Sequence, residues 1–509
     1  MEHLLALLPD YLTGHLQLTL IALAAAISIS VPLGIVASRI PRLEGLVLGV
    51  AGVIQTIPSL ALLATMVPLL AMLNLPSIGF LPAIIGLTLY GLLPILRNTV
   101  TGLHEVPAEL TEAARGVGMT PGQQLRRVEL PLAMPVIIGG IRTATVWTVG
   151  IATLSTPVGA TSLGNYIFGG LQTRNFASVL LGSVAAAGLA LLLDGLVATL
   201  ERGMRDRRRG LLAGAFTIIA ALYLFAGTTL ILPLFRDGPR PIVVAAKPFT
   251  EQYILGDILA DQITDETGLP TERLSSIGSM VAYEALLDGS VDTYVDYSGT
   301  LWLALLQRKD SPANRQEALD AIEVWLGENT NIAYIGPLGF QNNYALAMRR
   351  SEAERLGVTT ISELLPYASE LKLGGDLEFF SRAEWPALQK TYGIGFAQTR
   401  PMDPSLMYQA VAYGGVDVIT AYTTDGRIGA LDLVVLQDDR RAIPPYDAIL
   451  LASGRLARAQ PEVMAALASL VGSITETEMR AMNHEVDANG LQPAAVAAEF
   501  LQRLRAREK

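Results

Sequence analysis

The sequence predicts two structural classes in one chain, an all-α membrane domain of about six transmembrane helices followed by a two-lobed α/β domain. Three observations carry this. The first 235 residues are dominated by Leu, Ala, Ile and Val, in apolar runs that approach the ~20 residues a helix needs to cross a hydrocarbon core. Residues 236–509 have the composition of a soluble protein and alternate short strand-like runs with helical stretches. The apolar fraction of 51% and mean hydropathy of +0.41 average these halves, so 509 residues divide into at least two units.

The expected spans are 15–38, 46–73, 80–96, 132–156, 176–200 and 211–234. Pro58 lies inside the second, in Gln55-Thr56-Ile57-Pro58-Ser59, and should break or kink it. The first span does not read as a secretory signal, because no basic segment precedes it and Arg39 and Arg42 follow it. Arginines set the orientation. Arg39 and Arg42 follow span one, Arg97, Arg115, Arg126 and Arg127 lie between spans three and four, and Arg202, Arg205 and Arg207 to Arg209 lie between five and six. Six spans place all three groups in the cytoplasm, with Arg174 the exception outside. The N-terminus and everything after Leu234 are then external.

This gives a membrane domain over 1–209 with a cytoplasmic loop at 109–131, a further helix and linker over 210–239, and an extracytoplasmic domain over 240–509. The net charge of −10, with arginine clusters punctuating the apolar half and acids dominating the second, leaves no basic face for nucleic acid. The absence of cysteine excludes disulfides and thiol chemistry, and no metal-ligand spacing or cofactor motif occurs. His15 and His104 read as structural. Asp194, inside span five, is a functional candidate or a partner for the nearby arginines.

The loop carries Glu112-Ala113-Ala114-Arg115-Gly116-Val117-Gly118 and, nine residues later, Val128-Glu129-Leu130-Pro131. Residues 109–114 favour a short helix, Gly116 and Gly118 permit a sharp turn, Pro121 suits the start of a second helix, and Pro131 the start of span four. The pattern resembles the EAA coupling motif of ABC importer permeases, which implies ATPase-coupling roles for Glu112, Ala113, Ala114, Gly118, Leu130 and Pro131. No Gly-Lys pair occurs anywhere, so the chain has no P-loop of its own. The resemblance therefore implies a separate ABC ATPase subunit in two copies. One permease domain is half of a pore, which a homodimer would complete.

In the external half, 242–246, 331–335, 344–348, 416–420 and 433–436 read as strands, while 250–267, 407–412 and 460–469 read as helices, with Thr250 as an N-cap. Alternation of this kind implies mainly parallel sheets and binding loops at strand ends. Lys247-Pro248-Phe249-Thr250-Glu251-Gln252, Asp296-Tyr297-Ser298-Gly299-Thr300 and Thr420-Ala421-Tyr422-Thr423-Thr424-Asp425-Gly426 resemble the binding proteins for glycine betaine, choline and carnitine. The chain is thereby identified with the osmoprotectant branch of bacterial ABC importers, whose relatives include permease–binding-protein fusions and ergothioneine importers. The resemblance implies a bacterial inner or cell membrane location and a two-lobed periplasmic-binding-protein-type fold. It implies an aromatic cage of Tyr297, Tyr344, Tyr422 and Tyr446 for a quaternary ammonium, and Lys247, Thr300 and Arg382 for a ligand carboxylate. After Arg382 comes Ala383-Glu384-Trp385, where the family has an acidic-Gly sequence.

A trimethylammonium makes no ordinary hydrogen bonds, so ring faces are what can hold it, at about 0.5–2 kcal/mol each. Two cations and a hydroxyl suit a carboxylate, favouring a zwitterion such as glycine betaine over choline. Asn342 and Asn343 suit either a cleft loop or a turn. A ligand-gated receptor would not need the 112–131 motif. A membrane-anchored enzyme finds no catalytic set, Asp257 and Asp261 having the i, i+4 spacing of a solvated helix face.

Overall fold

The computed structural model describes residues 2–73, 75–173, 175–235, 239–308, 312, 314–381 and 384–507. The chain forms two compact units, one of Met1–Phe168 with Ala177–Gly238, the other of Pro239–Lys509 with Gly169–Phe176. Part of the expected linker (236–238) and Arg174 lie outside the described residues.

The first unit is helical: α1 (Glu2–Ala37), α2 (Pro41–Thr56), α3 (Ser59–Met72), α4 (Phe80–His104), α5 (Ala108–Gly116), α6 (Pro121–Gln124), α7 (Leu130–Ala152), α8 (Gly164–Gln172), α9 (Phe176–Arg205) and α10 (Arg209–Ile231). Among the described residues five apolar stretches are long enough to cross a membrane, containing α1, α4, α7, α9 and α10. The expected second span is two helices, α2 and α3, bent by 100° at Ile57 and Pro58, and counts as a sixth only if the pair is one crossing. Pro58 acts here as expected, with φ −54° and ψ 132° in front of α3. Six crossings keep the three arginine groups on one side.

Helices α1, α4 and α7 form the centre of this unit, around Leu18, Ala22, Leu87 and Ala152, then Leu23, Ala26, Ile95 and Ala144. Small residues let the backbones approach, since a Cβ on Gly140 would lie 2.6 Å from the Pro94 carbonyl oxygen. Helices α9 and α10 instead expose Leu180, Leu191, Leu192, Phe216 and Leu224, as lipid-facing helices do. Asp194 on α9 is bound bidentately by Arg142 of α7, at 2.5 and 2.8 Å. Its partner is thus a cation within the membrane helices rather than the arginine group at 202–209.

Among the described residues the second unit contains two five-stranded sheets. The strands are β1 (Ile242–Ala245), β2 (Thr271–Leu274), β3 (Thr293–Tyr297), β4 (Ala333–Gln341), β5 (Tyr344–Arg349), β6 (Lys372–Gly375), β7 (Gln398–Pro401), β8 (Val418–Tyr422), β9 (Leu433–Leu436) and β10 (Asp447–Ala452). The sheet orders are β2-β1-β3-β10-β4 and β7-β6-β8-β5-β9. The chain builds the first sheet through β4, crosses at 342–343 to build the second, and returns at 437–446 to insert β10 into the first. Two lobes joined by two crossings result.

The expectation of mainly parallel pairing is corrected: β1 pairs parallel with β2 and β3, and β6 with β7 and β8, but β10 runs antiparallel to β3 and β4, and β5 antiparallel to β8 and β9. The crossings explain this. A strand that enters a sheet from the other lobe arrives at the end where its neighbours finish, and therefore runs against them. Helix 250–267 forms as expected, but its N-cap is Phe249, and the Thr250 hydroxyl donates instead to Asp487 Oδ1 at 2.6 Å.

Candidate ligand-binding site and coupling loop

Strand ends and crossings bring the aromatic residues together. Tyr344 opens β5 directly opposite Tyr422, which closes β8. Tyr297 closes β3 and caps the helix Ser298–Ala304, while Tyr446 lies on the return crossing, immediately before β10. All four expected tyrosines lie in one cluster. The rings of Tyr344 and Tyr422 are 5.0 Å apart, and those of Tyr344 and Tyr446 are 5.5 Å apart and edge-on at 84°. Phe249 joins Tyr297 to Tyr422, with its ring centroid 6.1 Å from each and only 8° from the plane of Tyr422. Sequence reasoning did not assign Phe249 to the cage, although it stands in the Lys247–Gln252 motif; a ring in a strand-to-helix turn of that motif was the available signal.

The hydroxyls of these tyrosines all point at carboxylates. Tyr297 donates to Glu251 Oε1 at 2.6 Å. Tyr344 and Tyr422 donate to the two oxygens of Asp376 at 3.3 and 3.2 Å. Tyr446 donates to Glu384 Oε1 at 2.5 Å. Glu251, Asp376 and Glu384 are each buried. None of the three was recognised from sequence as part of a site. Glu251 stands in the Lys247–Gln252 motif, and Glu384 lies in the segment that departs from the family pattern after Arg382.

Glu251 is also a hub between lobes. Its carboxylate accepts from Asn342 Nδ2 at 3.0 Å on one crossing, from the Thr424 hydroxyl in the second lobe, and from Asn483 Nδ2 at 3.0 Å on the helix Glu476–Asp487. Burial pushes its proton affinity up, and the four donors oppose that shift. Burial likewise raises Asp376, against the Phe379 N–H and the two tyrosine hydroxyls. Asn342 and Asn343 belong to the crossing itself: Asn342 N–H donates to the Tyr446 carbonyl at 2.9 Å, and Asn343 Oδ1 accepts from Tyr446 N–H at 2.8 Å.

The expected carboxylate-binding residues are placed differently. Lys247 is buried and forms an ion pair with Asp296 Oδ1 at 2.5 Å, with its ammonium 5.4 Å from the centroid of the Tyr297 ring. Its charge is committed to the protein, and Tyr294 also donates to Asp296, at 2.6 Å. Thr300 is buried in the first turn of the helix Ser298–Ala304. Arg382 lies outside the described residues. In the third motif, Asp425 pairs bidentately with Arg427 at 2.5 and 2.9 Å, and the Arg427 guanidinium stacks 3.9 Å from the Tyr408 ring centre. Tyr408 in turn accepts the Tyr422 N–H at 3.1 Å, so that pair holds the end of β8 that carries Tyr422.

In the membrane unit, the 109–131 loop folds as two short helices, α5 and α6. Gly118 has φ +80°, the conformation that glycine adopts without a Cβ penalty, and Thr120 closes a capping box with Gln123 at the start of α6, where Pro121 is the first residue. Gly116 ends α5 without a left-handed conformation. Glu112, Ala113 and Val117 are exposed, Ala114 is buried, and Leu130 and Pro131 begin α7. The loop is held by Glu129, a buried carboxylate that accepts from Gln124 Nε2 at 2.6 Å and pairs with Arg39. Gln124 in turn accepts from Arg115 Nε at 3.3 Å. Among the described residues no cluster of metal-ligating side chains occurs.

Comparison with known proteins agrees with both halves. Residues 30–206 match the family described as binding-protein-dependent transport system inner membrane component, and residues 240–503 match the substrate binding domain of ABC-type glycine betaine transport systems. The chain is 32% identical over 489 residues to the ergothioneine transport permease/ergothioneine binding protein EgtU of Helicobacter pylori strain G27, covering 93% of this chain and 86% of that protein. The membrane half is 44% identical over 188 residues to the choline transport system permease protein OpuBB of Bacillus subtilis strain 168, covering 37% of this chain and 84% of that protein. The external half is 33% identical over 266 residues to the carnitine transport binding protein OpuCC of Listeria monocytogenes serotype 1/2a, strain 10403S, covering 52% and 86%.

Proposed function

Because the chain belongs to the ABC-importer family in which a permease is fused to a substrate-binding domain of the glycine betaine type, we propose that it imports a small solute bearing a quaternary ammonium, a betaine-like zwitterion such as glycine betaine. The observation that carries this reading is the convergence of Tyr297, Tyr344, Tyr422 and Tyr446 with Phe249 at the crossings between lobes. Ring faces attract a cation through their quadrupole, and the carboxylates around them oppose an anion. Closing two lobes on a ligand would exclude water from both interactions and strengthen them.

Capture takes place in the extracytoplasmic domain, and α1, α4 and α7 supply the membrane path of one half-pore. A second copy of the chain would supply the other half, and two copies of a separate ATPase would dock on the loop around Glu112, Ala113 and Gly118. At the far end of the ligand, Thr300, Arg382 and, less directly, Lys247 are assigned to the carboxylate by resemblance. Lys247 would act there only by sharing its ammonium with Asp296.

A second reading is ergothioneine, itself a trimethylammonium betaine with a thione-bearing imidazole. It is favoured by the full-length relative that shares the same fusion and bears that name. Choline and carnitine follow as alternatives. Calorimetry of the full-length protein in nanodiscs against glycine betaine, carnitine, choline and ergothioneine decides among them. A Kd below about 100 μM for at least one is expected, corresponding to roughly −5.5 kcal/mol. Binding of none of the four, with binding of an ordinary amino acid or sugar instead, would remove the reading.

A further inference from the structure

Every cage tyrosine donates its hydroxyl to a buried carboxylate: Tyr297 to Glu251, Tyr344 and Tyr422 to Asp376, Tyr446 to Glu384. Packing alone gives no reason for this. A buried phenol needs one acceptor, and backbone carbonyls would serve without the desolvation cost of a charge. Three carboxylates in this position do something a carbonyl cannot.

First, they fix the rings. A hydroxyl committed to an acceptor behind it presents the ring face, rather than an O–H, to the cleft. Second, a charged acceptor polarises the phenol toward phenolate, so electron density in the ring rises and its attraction for a cation grows. Third, three negative charges behind the rings add a direct attraction that is weakly screened in a buried site.

At Glu251 hydrogen-bond donors support the ionised form against burial, which favours the proton. Oε1 accepts from Tyr297 and Asn342 and Oε2 from Thr424 and Asn483, so four hydrogen bonds converge on the carboxylate. Lys247, whose ammonium lies 5.4 Å from the centroid of the Tyr297 ring, is already paired with Asp296.

We infer that Glu251, Asp376 and Glu384 are specificity-determining positioning residues, whose charge, delivered through the tyrosine hydroxyls, makes the cage select a permanent cation over a neutral group of the same shape. The inference rests on the quaternary-ammonium reading above and goes beyond it, since ring faces supply about 0.5–2 kcal/mol each and the carboxylates behind them add a further preference for charge.

Carbon isosteres provide the test: 3,3-dimethylbutan-1-ol for choline, and 3,3-dimethylbutanoate for glycine betaine. Affinities for both members of each pair are measured by calorimetry on the full-length protein in nanodiscs, as wild type, Asp376→Asn and Glu384→Gln. The readout is the cation-to-isostere affinity ratio. Wild type is expected to prefer the cation by at least about a hundredfold, and each variant to lose about tenfold of that preference while binding 3,3-dimethylbutan-1-ol, the neutral isostere, within about threefold of wild type. A variant that merely loosens the cleft would weaken both members together and leave the ratio unchanged, which overturns the inference while the importer reading stands. A wild type that binds neither choline nor glycine betaine overturns the reading and the inference with it. If Asp376→Asn does not fold, Glu384→Gln decides alone, since it touches a different tyrosine.

Discussion

Tyr446 lies flat against Gly299: a Cβ on Gly299 would sit 2.5 Å from Cε2 and 2.6 Å from Cζ of the Tyr446 ring, inside any real carbon–carbon contact. Gly299 does not have a positive φ, so its backbone conformation is open to any residue. What requires glycine is the ring. Gly299→Ala should therefore displace Tyr446 from the cage without straining the helix Ser298–Ala304. Affinity for the quaternary ammonium is expected to fall about tenfold with little change in thermal stability, read by calorimetry and thermal unfolding on the same preparation. Unchanged affinity would mean that the Tyr446 ring is not part of the binding surface.

The opposite situation holds at Gly118. Nothing lies within 4 Å of a Cβ there, but φ is +80°, so any side chain meets backbone strain of roughly 1–2 kcal/mol. Gly118→Trp should distort the turn between α5 and α6 and place a large ring on a surface where Val117 is already 75% exposed. Reconstituted with its ATPase, the variant is expected to lose ATP-driven uptake while ligand affinity stays within twofold of wild type. Normal uptake would separate this loop from coupling.

Glu251→Gln replaces an acceptor with an amide whose N–H₂ must face Tyr297 and Asn342, or Thr424 and Asn483. At least one buried donor loses its acceptor, at about 2–4 kcal/mol. The unfolding midpoint of the external domain within the full chain should drop by roughly 5–15 °C. Because Glu251 ties the first lobe to a crossing, to the second lobe and to the helix Glu476–Asp487, proteolysis at the crossings should accelerate as well. A midpoint within 2 °C of wild type would show that the hub is dispensable.

What is legible in the sequence follows the range of the interaction. Composition and arginine placement act over whole helices, so the membrane half, its external partner and the α5–α6 loop can be read from the order of residues alone. Pro58 announces its break because a missing N–H is a local fact, but not whether the bent pair crosses. Tyr297 and Tyr422 stand in short motifs, while Tyr344 and Tyr446 are reachable only through the family resemblance. Of their carboxylate partners Glu251 stands in the Lys247–Gln252 motif, but two lie in no motif: Asp376 reaches Tyr422 across 46 residues, and Glu384 reaches Tyr446 across 62. Lys247 shows the same limit from the other side. Its type suggests a ligand carboxylate, yet the nearest carboxylate is Asp296, brought beside it by the parallel β1–β3 pairing. The antiparallel insertion of β10 depends on the chain returning between lobes, which no local pattern encodes.

Asp257 gives a pH dependence with a definite sign. It lies on the helix 250–267, bonded to Arg273 Nε at 2.7 Å, and Arg273 also pairs with Asp261, so these acids are not a freely solvated face. Burial pushes Asp257 up to about 6, opposed by Arg273 and reinforced by Asp261. A raised acid takes up its proton more readily folded than unfolded. Its contribution is therefore full below about pH 4 and lost as pH rises through 6, at most about 3 kcal/mol. Glu251 and Asp376 are raised by burial too and act in the same direction. The difference between wild type and Asp257→Asn isolates this residue: the variant's unfolding midpoint should change less between pH 5 and pH 8. Parallel pH curves would show that Asp257 ionises normally.

The cage itself makes a crossed prediction. Tyr422 stacks with Phe249, packs on Tyr344 and donates to Asp376, so its ring and its hydroxyl have separate jobs. Tyr422→Ala removes both and should cost about 1–2 kcal/mol, roughly five- to thirtyfold, for glycine betaine and choline alike. Tyr422→Phe keeps the ring and should fall between wild type and Ala. Its loss should be larger than ring area alone implies, because Asp376 keeps only one of its two tyrosine donors. Arg382→Ala addresses the other end of the ligand. If Arg382 contacts the carboxylate, its removal should weaken glycine betaine by tenfold or more and choline, which has no carboxylate, by less than about threefold. The four variant–ligand combinations of Tyr422→Ala and Arg382→Ala therefore separate the two ends in one titration series. Equal losses for both ligands on Arg382→Ala would make that arginine structural and leave recognition to the ammonium end alone; equal losses for Tyr422→Phe and Tyr422→Ala would mean that the hydroxyl and its carboxylate, rather than the ring face, hold the cation.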